Sequence, residues 1–203
     1  MYKRKDAFHA KAKKEGYRSR AAYKLLEFAA AEKVVAAGDH VIDAGAAPGG
    51  WSQVLLRLVG KKGKVAAVDI LPMDPLPGEN FRFFPRDITD PSLPPEVVDF
   101  LGRKADAVVS DAAPNTTGIS FSDQARSADL VRSVLSFAKE TLREGGTFLA
   151  KIFEGAESDD VVRELRMSFG QVRRVRPAAT RKESFELYLL ARNFRGTSVA
   201  GAD

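Results

Sequence analysis

The chain has 203 residues, 29% of them charged, a net charge of +5 and no cysteine. That length suits one well-buried domain, and the missing thiols exclude disulfides, a cysteine nucleophile and a zinc ribbon while suiting a reducing cytoplasm. No apolar stretch approaches the roughly 18–20 residues of a spanning helix, and His9 and His40 stand apart, so neither a membrane nor a metal partner is expected.

The charge is unevenly spread. Residues 1–24 hold nine Lys/Arg against Asp6 and Glu15, residues 163–182 hold seven against Glu164, and the rest of the chain carries −8. Two basic runs on an acidic body point to a polyanion such as RNA, held through its phosphates; a solvated face is the competing reading.

In chain order, residues 1–17 offer few large apolar side chains, so only partial order is expected there. Ser19 reads as the N-cap of a helix through about Ala31, with Ala22, Leu25, Leu26 and Ala29 as its apolar stripe and Lys24 on its surface. Val41 to Trp51, VIDAGAAPGGW, reads as strand, tight loop and helix start. Glycines let such a loop approach a ligand, and ligands of open α/β sheets lie beyond the carboxyl ends of the strands. Asp43, Gly45, Pro48, Gly49, Gly50 and Trp51 are therefore candidate cofactor residues.

The next strand, Lys64 to Ile70, brings Asp69 to the position of a ribose-binding carboxylate. The loop has neither the G-x-G-x-x-G spacing of a dinucleotide site nor the ending of a P-loop, which favours S-adenosylmethionine (SAM) over NAD or ATP. Prolines in LPMDPLPG forbid regular structure, a third strand spans Asn80 to Pro85, and Asp87 follows it. A helix over 93–104 leads to the apolar strand Ala105 to Ser110, which ends at Asp111 and the turn AAPN. Each of these acids has a bland reading as a loop carboxylate; together they line one pocket.

A long helix, 122–143, is expected to stop at Gly145-Gly146. In the fifth strand, Thr147 to Phe153, Lys151 interrupts an apolar run, where a buried unpaired ammonium would be costly. It needs a carboxylate or a route to solvent. A helix over Asp159 to Phe169 and the basic strand QVRRVRP precede the last strand, Ser184 to Arg192, in which Glu186 poses the same problem with opposite sign; Lys151 is its expected cation. The tail from 196 to 203 is expected to fray.

Alternating strands and helices with a final strand following directly on another indicate an α/β protein: a Rossmann-like SAM-dependent methyltransferase fold, with a seven-stranded, mostly parallel sheet, one antiparallel strand and helices on both faces. One domain is expected over 1–203, with a basic N-terminal extension and helix (1–31), a SAM-binding core (38–194) and a short tail.

RSRAAYKL, DAGAAPGGWSQ, SDAAPN, KIFEG and FELYLLA together resemble the FtsJ-like family of ribose 2′-O-methyltransferases, over about Lys5 to Arg192. The chain departs from the family pattern in a short N-terminal extension and in RKESF ahead of the last strand. The resemblance implies a catalytic tetrad of Lys24, Asp111, Lys151 and Glu186, and cofactor contacts from the loop with Gly49 and Trp51, from Asp69 and Asp87, and from Asp111 beside the methyl donor. It further implies SAM as cofactor and RNA as partner: a uridine of 23S ribosomal RNA in the large ribosomal subunit, methylated by a cytoplasmic monomer without a metal. Neutral Lys151 would take the proton of the 2′-hydroxyl, with Lys24 stabilising charge on the oxygen and the two carboxylates orienting both. Another RNA such as tRNA, or RNA binding without catalysis, are the alternatives. An amino-methyltransferase is disfavoured by the absence of an aromatic after Asp111, and an NAD enzyme by the loop spacing.

Overall fold

A computed structural model describes residues 10–118, 120–177 and 185–196. Seven strands, β1 (His40–Ala44), β2 (Lys64–Val68), β3 (Phe81–Phe84), β4 (Ala105–Ser110), β5 (Leu142–Phe153), β6 (Phe169–Val175) and β7 (Glu186–Phe194), form one sheet in the order β3-β2-β1-β4-β5-β7-β6. All neighbours are parallel except those of β7, which runs antiparallel to both β5 and β6. The helices are α1 (Ala22–Glu32), α2 (Gly50–Val59), α3 (Leu93–Leu101), α4 (Ser120–Thr141) and α5 (Ala156–Ser168).

Side-chain alternation along the strands divides the core into two layers. On one face Val41, Val65, Ala107, Val109, Leu149, Tyr188 and Leu190 pack against α1 and α2 through Leu25, Phe28, Trp51 and Leu55. On the other, Ile42, Val108, Phe148, Ile152, Leu187 and Leu189 pack against α3, α4 and α5. Leu25, Leu55, Leu149 and Ile152 are fully buried, each stabilising the fold by roughly 1.5–3 kcal/mol. Both faces are covered, which is why the central strands read as continuous apolar runs.

Several boundaries differ from the sequence expectation for identifiable reasons. Ser19 is not the N-cap: α1 begins at Ala22 after a turn in which the Ser19 carbonyl accepts from the Ala22 N–H (3.3 Å), and no side chain caps the helix. The Ser19 hydroxyl instead occupies the space a Cβ on Gly50 would need. Gly145-Gly146 does not stop α4, which already ends at Thr141; the pair lies inside β5, where Gly145 supplies a positive φ of 76° near the irregular start of the β4–β5 pairing. The expected tail beyond Gly196 and the RKES residues lie outside the described residues.

Candidate active site

Parallel strands β1, β2, β4 and β5 bring their carboxyl ends to one edge of the sheet, and because β7 is reversed, its first residues arrive at that same edge. The pairing register sets Lys151 opposite Tyr188 and Phe153 opposite Glu186. Lys24 reaches over this edge from α1. Its Nζ lies 3.1 Å from Glu186 Oε2 and 3.6 Å from Asp111 Oδ1, while Lys151 Nζ lies 3.2 Å from the same Asp111 oxygen and donates to the Asp111 carbonyl at 2.7 Å. The four side chains thus form a chain of alternating charge, Glu186–Lys24–Asp111–Lys151.

One sequence expectation is corrected here. Among the described residues Glu186 forms its ion pair with Lys24, whereas Lys151 pairs with Asp111. A two-residue offset along the antiparallel ladder separates Glu186 from the residue facing Lys151, and only the register reveals it. Burial pushes the Glu186 carboxyl up, but Lys24, and then Lys151, outweigh it and hold the group below its ordinary range.

Tyr188 was not singled out by the sequence. Its hydroxyl donates to Asp111 Oδ1 at 2.5 Å, and its buried ring lies 5.5 Å beneath the Lys24 ammonium. Burial, then the Asp111 charge, push its hydroxyl well above the usual phenol range, so it stays a donor. The signal was available: Tyr188 follows Glu186 by two residues and so shares its face of the strand.

The glycine loop between β1 and α2 sits beside this cluster. Gly45 has φ 77° and packs so closely on Ala112 that a Cβ would overlap the Ala112 side chain, and Gly49 has φ 103°; both conditions demand glycine. Asp69, just past β2, accepts from the Ala47 N–H (2.9 Å) and the Leu71 N–H (2.8 Å), tying the loop to the next strand end. Asp87 accepts from the Thr89 N–H and hydroxyl, in a turn past β3. Arg18, also missed by the sequence, bridges the carbonyls of Pro48, Asp74 and Pro75 at 3.3, 2.5 and 3.0 Å, strapping the N-terminal segment across the loop.

Asp43 and Trp51 have distinct surroundings. Asp43 is 1% exposed; one carboxylate oxygen accepts from the Ser52 hydroxyl at 2.6 Å, while Oδ1 is buried without a hydrogen-bond partner among the described residues. Burial pushes its carboxyl up to about 7, with Ser52 opposing and Asp111 and Asp69 adding to the rise. An orphaned buried acceptor at a strand end beside a glycine loop fits a ligand that brings a cation or a hydrogen-bond donor, as the ammonium of SAM would. The Trp51 indole is spent on packing: its Nε1 donates to the Ala21 carbonyl at 2.9 Å and its ring stacks on Tyr188.

The second basic run is largely neutralised where it is described. Arg163 pairs with Asp160, Arg173 with Glu32, Arg174 with Asp159 and Arg176 with Glu154. Around the cluster the N-terminal segment supplies Arg20 and Lys24, with Lys13 and Lys14 exposed on a helical turn over residues 10–14. Among the described residues no three His, Asp or Glu side chains gather as a metal site, and no helix is long and apolar enough to cross a membrane.

Comparison with known proteins agrees with this architecture. The profile of a family described as FtsJ-like methyltransferase matches residues 17–194. The chain is 46% identical over 194 residues to a protein of Methanothermobacter thermautotrophicus named ribosomal RNA large subunit methyltransferase E, covering 96% of this chain and 92% of that one. It is also 46% identical over 201 residues to the protein of the same name in Rhodopseudomonas palustris strain TIE-1, covering 98% and 84%. A crystal structure described as a ribosomal RNA methyltransferase of Plasmodium falciparum superposes with a TM-score of 0.78 at 29% identity, over 89% of this chain and all of that one. With the match spanning both the glycine loop and the lysine–carboxylate cluster, the chain belongs to the FtsJ-like methyltransferase family.

Proposed function

We propose that the protein transfers a methyl group from SAM to the 2′-hydroxyl of a uridine in 23S ribosomal RNA of the large subunit, acting as a cytoplasmic monomer without a metal. The observation that carries the chemistry is the alternating cluster Glu186–Lys24–Asp111–Lys151 at the sheet edge, next to a glycine loop whose Asp43 keeps an unpartnered buried oxygen. The names of relatives 46% identical to this chain support the RNA substrate.

Asp43, Asp69, Asp87, Asp111 and the loop Gly45, Pro48, Gly49, Gly50 and Trp51 would hold SAM, with Trp51 contributing its backbone. When bound, SAM supplies a methyl group already activated on a sulfonium. The protein's task is to make a ribose oxygen nucleophilic, which requires a base at the hydroxyl. Lys151 Nζ in its neutral form takes that proton. Asp111 fixes the amine through its carbonyl and carboxylate, and when Lys151 is neutral the Asp111 carboxylate still receives Tyr188 and faces Lys24. Lys24, held beside two carboxylates, stabilises charge growing on the oxygen. Glu186 holds Lys24 in place.

The test is transfer of labelled methyl from SAM to purified large subunits and to deproteinised RNA, with nucleoside mapping and Lys151→Ala as control. A 2′-O-methyluridine in large-subunit RNA, lost in Lys151→Ala while SAM still binds, is the expected result. Methyl on a base, or full activity in the variant, overturns the assignment.

A further inference from the structure

Five large hydrophobic side chains are strongly exposed among the described residues, and the two aromatic ones, Phe121 (73% exposed) and Phe185 (67%), both stand at the catalytic edge of the sheet. Phe185 immediately precedes Glu186. Its carbonyl accepts from the Glu154 N–H at 2.8 Å, so the β5–β7 ladder extends one step past the strand and fixes the Phe185 backbone. Alternation puts Glu186 and Tyr188 on the α1–α2 face and Phe185, like Leu187 and Leu189, on the α3–α5 face.

Phe121 reaches the same rim from the second residue of α4. The first turns of that helix lie along the exit of β5: the Ser127 hydroxyl accepts from the Phe153 N–H at 3.0 Å, and the Gln124 side chain fills the space beside Gly155. The start of α4 is itself fixed by Asp123, which receives the Thr117 and Gly118 N–H groups. The lysine–carboxylate cluster is therefore flanked by two unlike rims. Toward α1 stand Lys24 and the exposed Arg20; toward α4 stand two solvent-facing phenylalanine rings.

An RNA nucleotide whose 2′-oxygen meets Lys151 has its phosphates on one side of the ribose and its base on the other. Phosphates favour the basic rim. Unpaired bases of single-stranded RNA stack on aromatic side chains. We infer that Phe121 and Phe185 form a stacking rim for the unpaired bases at the methylation site, opposite a basic rim that holds the phosphates. This rests on the proposed RNA acceptor. Neither ring touches the reacting atoms, so they are positioning residues.

The test measures binding of a labelled 12-nucleotide oligouridylate by anisotropy, and KM and kcat for methylation of deproteinised large-subunit RNA, in Phe121→Ala, Phe185→Ala and the double variant. About a tenfold loss per ring is expected in oligouridylate affinity and as a rise in KM. The kcat and SAM affinity should hold, and the salt dependence of binding should keep its slope, since no phosphate contact is removed. Phe185→Trp should restore affinity and Phe185→Leu should not, which separates stacking from simple apolar contact. Wild-type affinity and KM in the double variant overturn the inference and leave the methyl-transfer reading intact. Ring-dependent RNA binding by a wild-type protein that methylates no RNA would support the rim and sink the methyl-transfer reading.

Discussion

Strand β4 carries an aspartate near each end, and the two are held by different cations. At the amino end Asp106 receives Arg103 and Arg143, each at 2.6 Å, and the His40 N–H at 2.8 Å. Burial pushes its carboxyl up, but the two guanidinium groups and the amide hold it down at about 2. At the carboxyl end Asp111 receives Lys151, Lys24 and Tyr188. Arginine never gives up its proton in a protein, whereas lysine does when its surroundings allow. The arginine-bound aspartate can only fasten β1, β4 and β5 together; the lysine-bound one holds the proposed base, Lys151. Asp43 is the third case, a strand aspartate with no cation, and its carboxyl rises to about 7.

The largest expected effect comes from making the reactive end resemble the structural one. Lys151→Arg keeps a positive charge beside Asp111 but removes the proposed base, so kcat should fall at least 100-fold with SAM affinity retained. Activity that survives, or that returns at high pH, would break the comparison.

Asp43→Asn tests the aspartate without a cation. A folded-state value raised from 3.8 to about 7 means that wild-type stability is fully present below pH 4 and is lost as pH rises through 7. The variant escapes that loss, so its advantage in urea unfolding should grow between pH 4 and pH 8, by up to about 4 kcal/mol. It should also bind SAM more weakly, because the carboxylate charge offered to the ligand is gone. An advantage that does not change with pH would rule out a buried, titrating Asp43.

Asp106→Asn should show the opposite slope. A value lowered to about 2 gives stability that is complete above pH 4 and fades as pH falls toward 2, so the variant should lose at most about 2 kcal/mol at pH 7 and much less at pH 2.5. The smallest effect belongs to Arg143→Lys: its side chain is half exposed, and the change should cost under about 1 kcal/mol and leave methyl transfer unaltered. A large loss would mean that the arginine end is more than a fastening.

These contrasts bear on what could be read in advance. The succession of strands and helices is legible because apolar runs, glycine breaks and strand-end acids recur in chain order, and Lys151 and Glu186 stand out as charges inside apolar strands. Which charge meets which is not. Glu186 and Lys151 match as opposite charges inside apolar strands, yet the ladder places Tyr188 opposite Lys151. The arginines of 163–176 read as a phosphate patch because their partners are distant in sequence, as with Arg173 and Glu32, 141 residues apart. Ser19 and Gly145-Gly146 carried local signals that tertiary packing used otherwise. Tyr188 and Arg18 act through contacts across 77 and 30 to 57 residues, which local patterns do not encode.

The reversal of β7 has a further consequence, for the order of events during synthesis. Lys24 and Glu186 are 162 residues apart, so the cluster joins an early helix to the final strand. A nascent chain has its glycine loop and both lysines before Glu186 and Tyr188 emerge, and only the last strand completes the charge network.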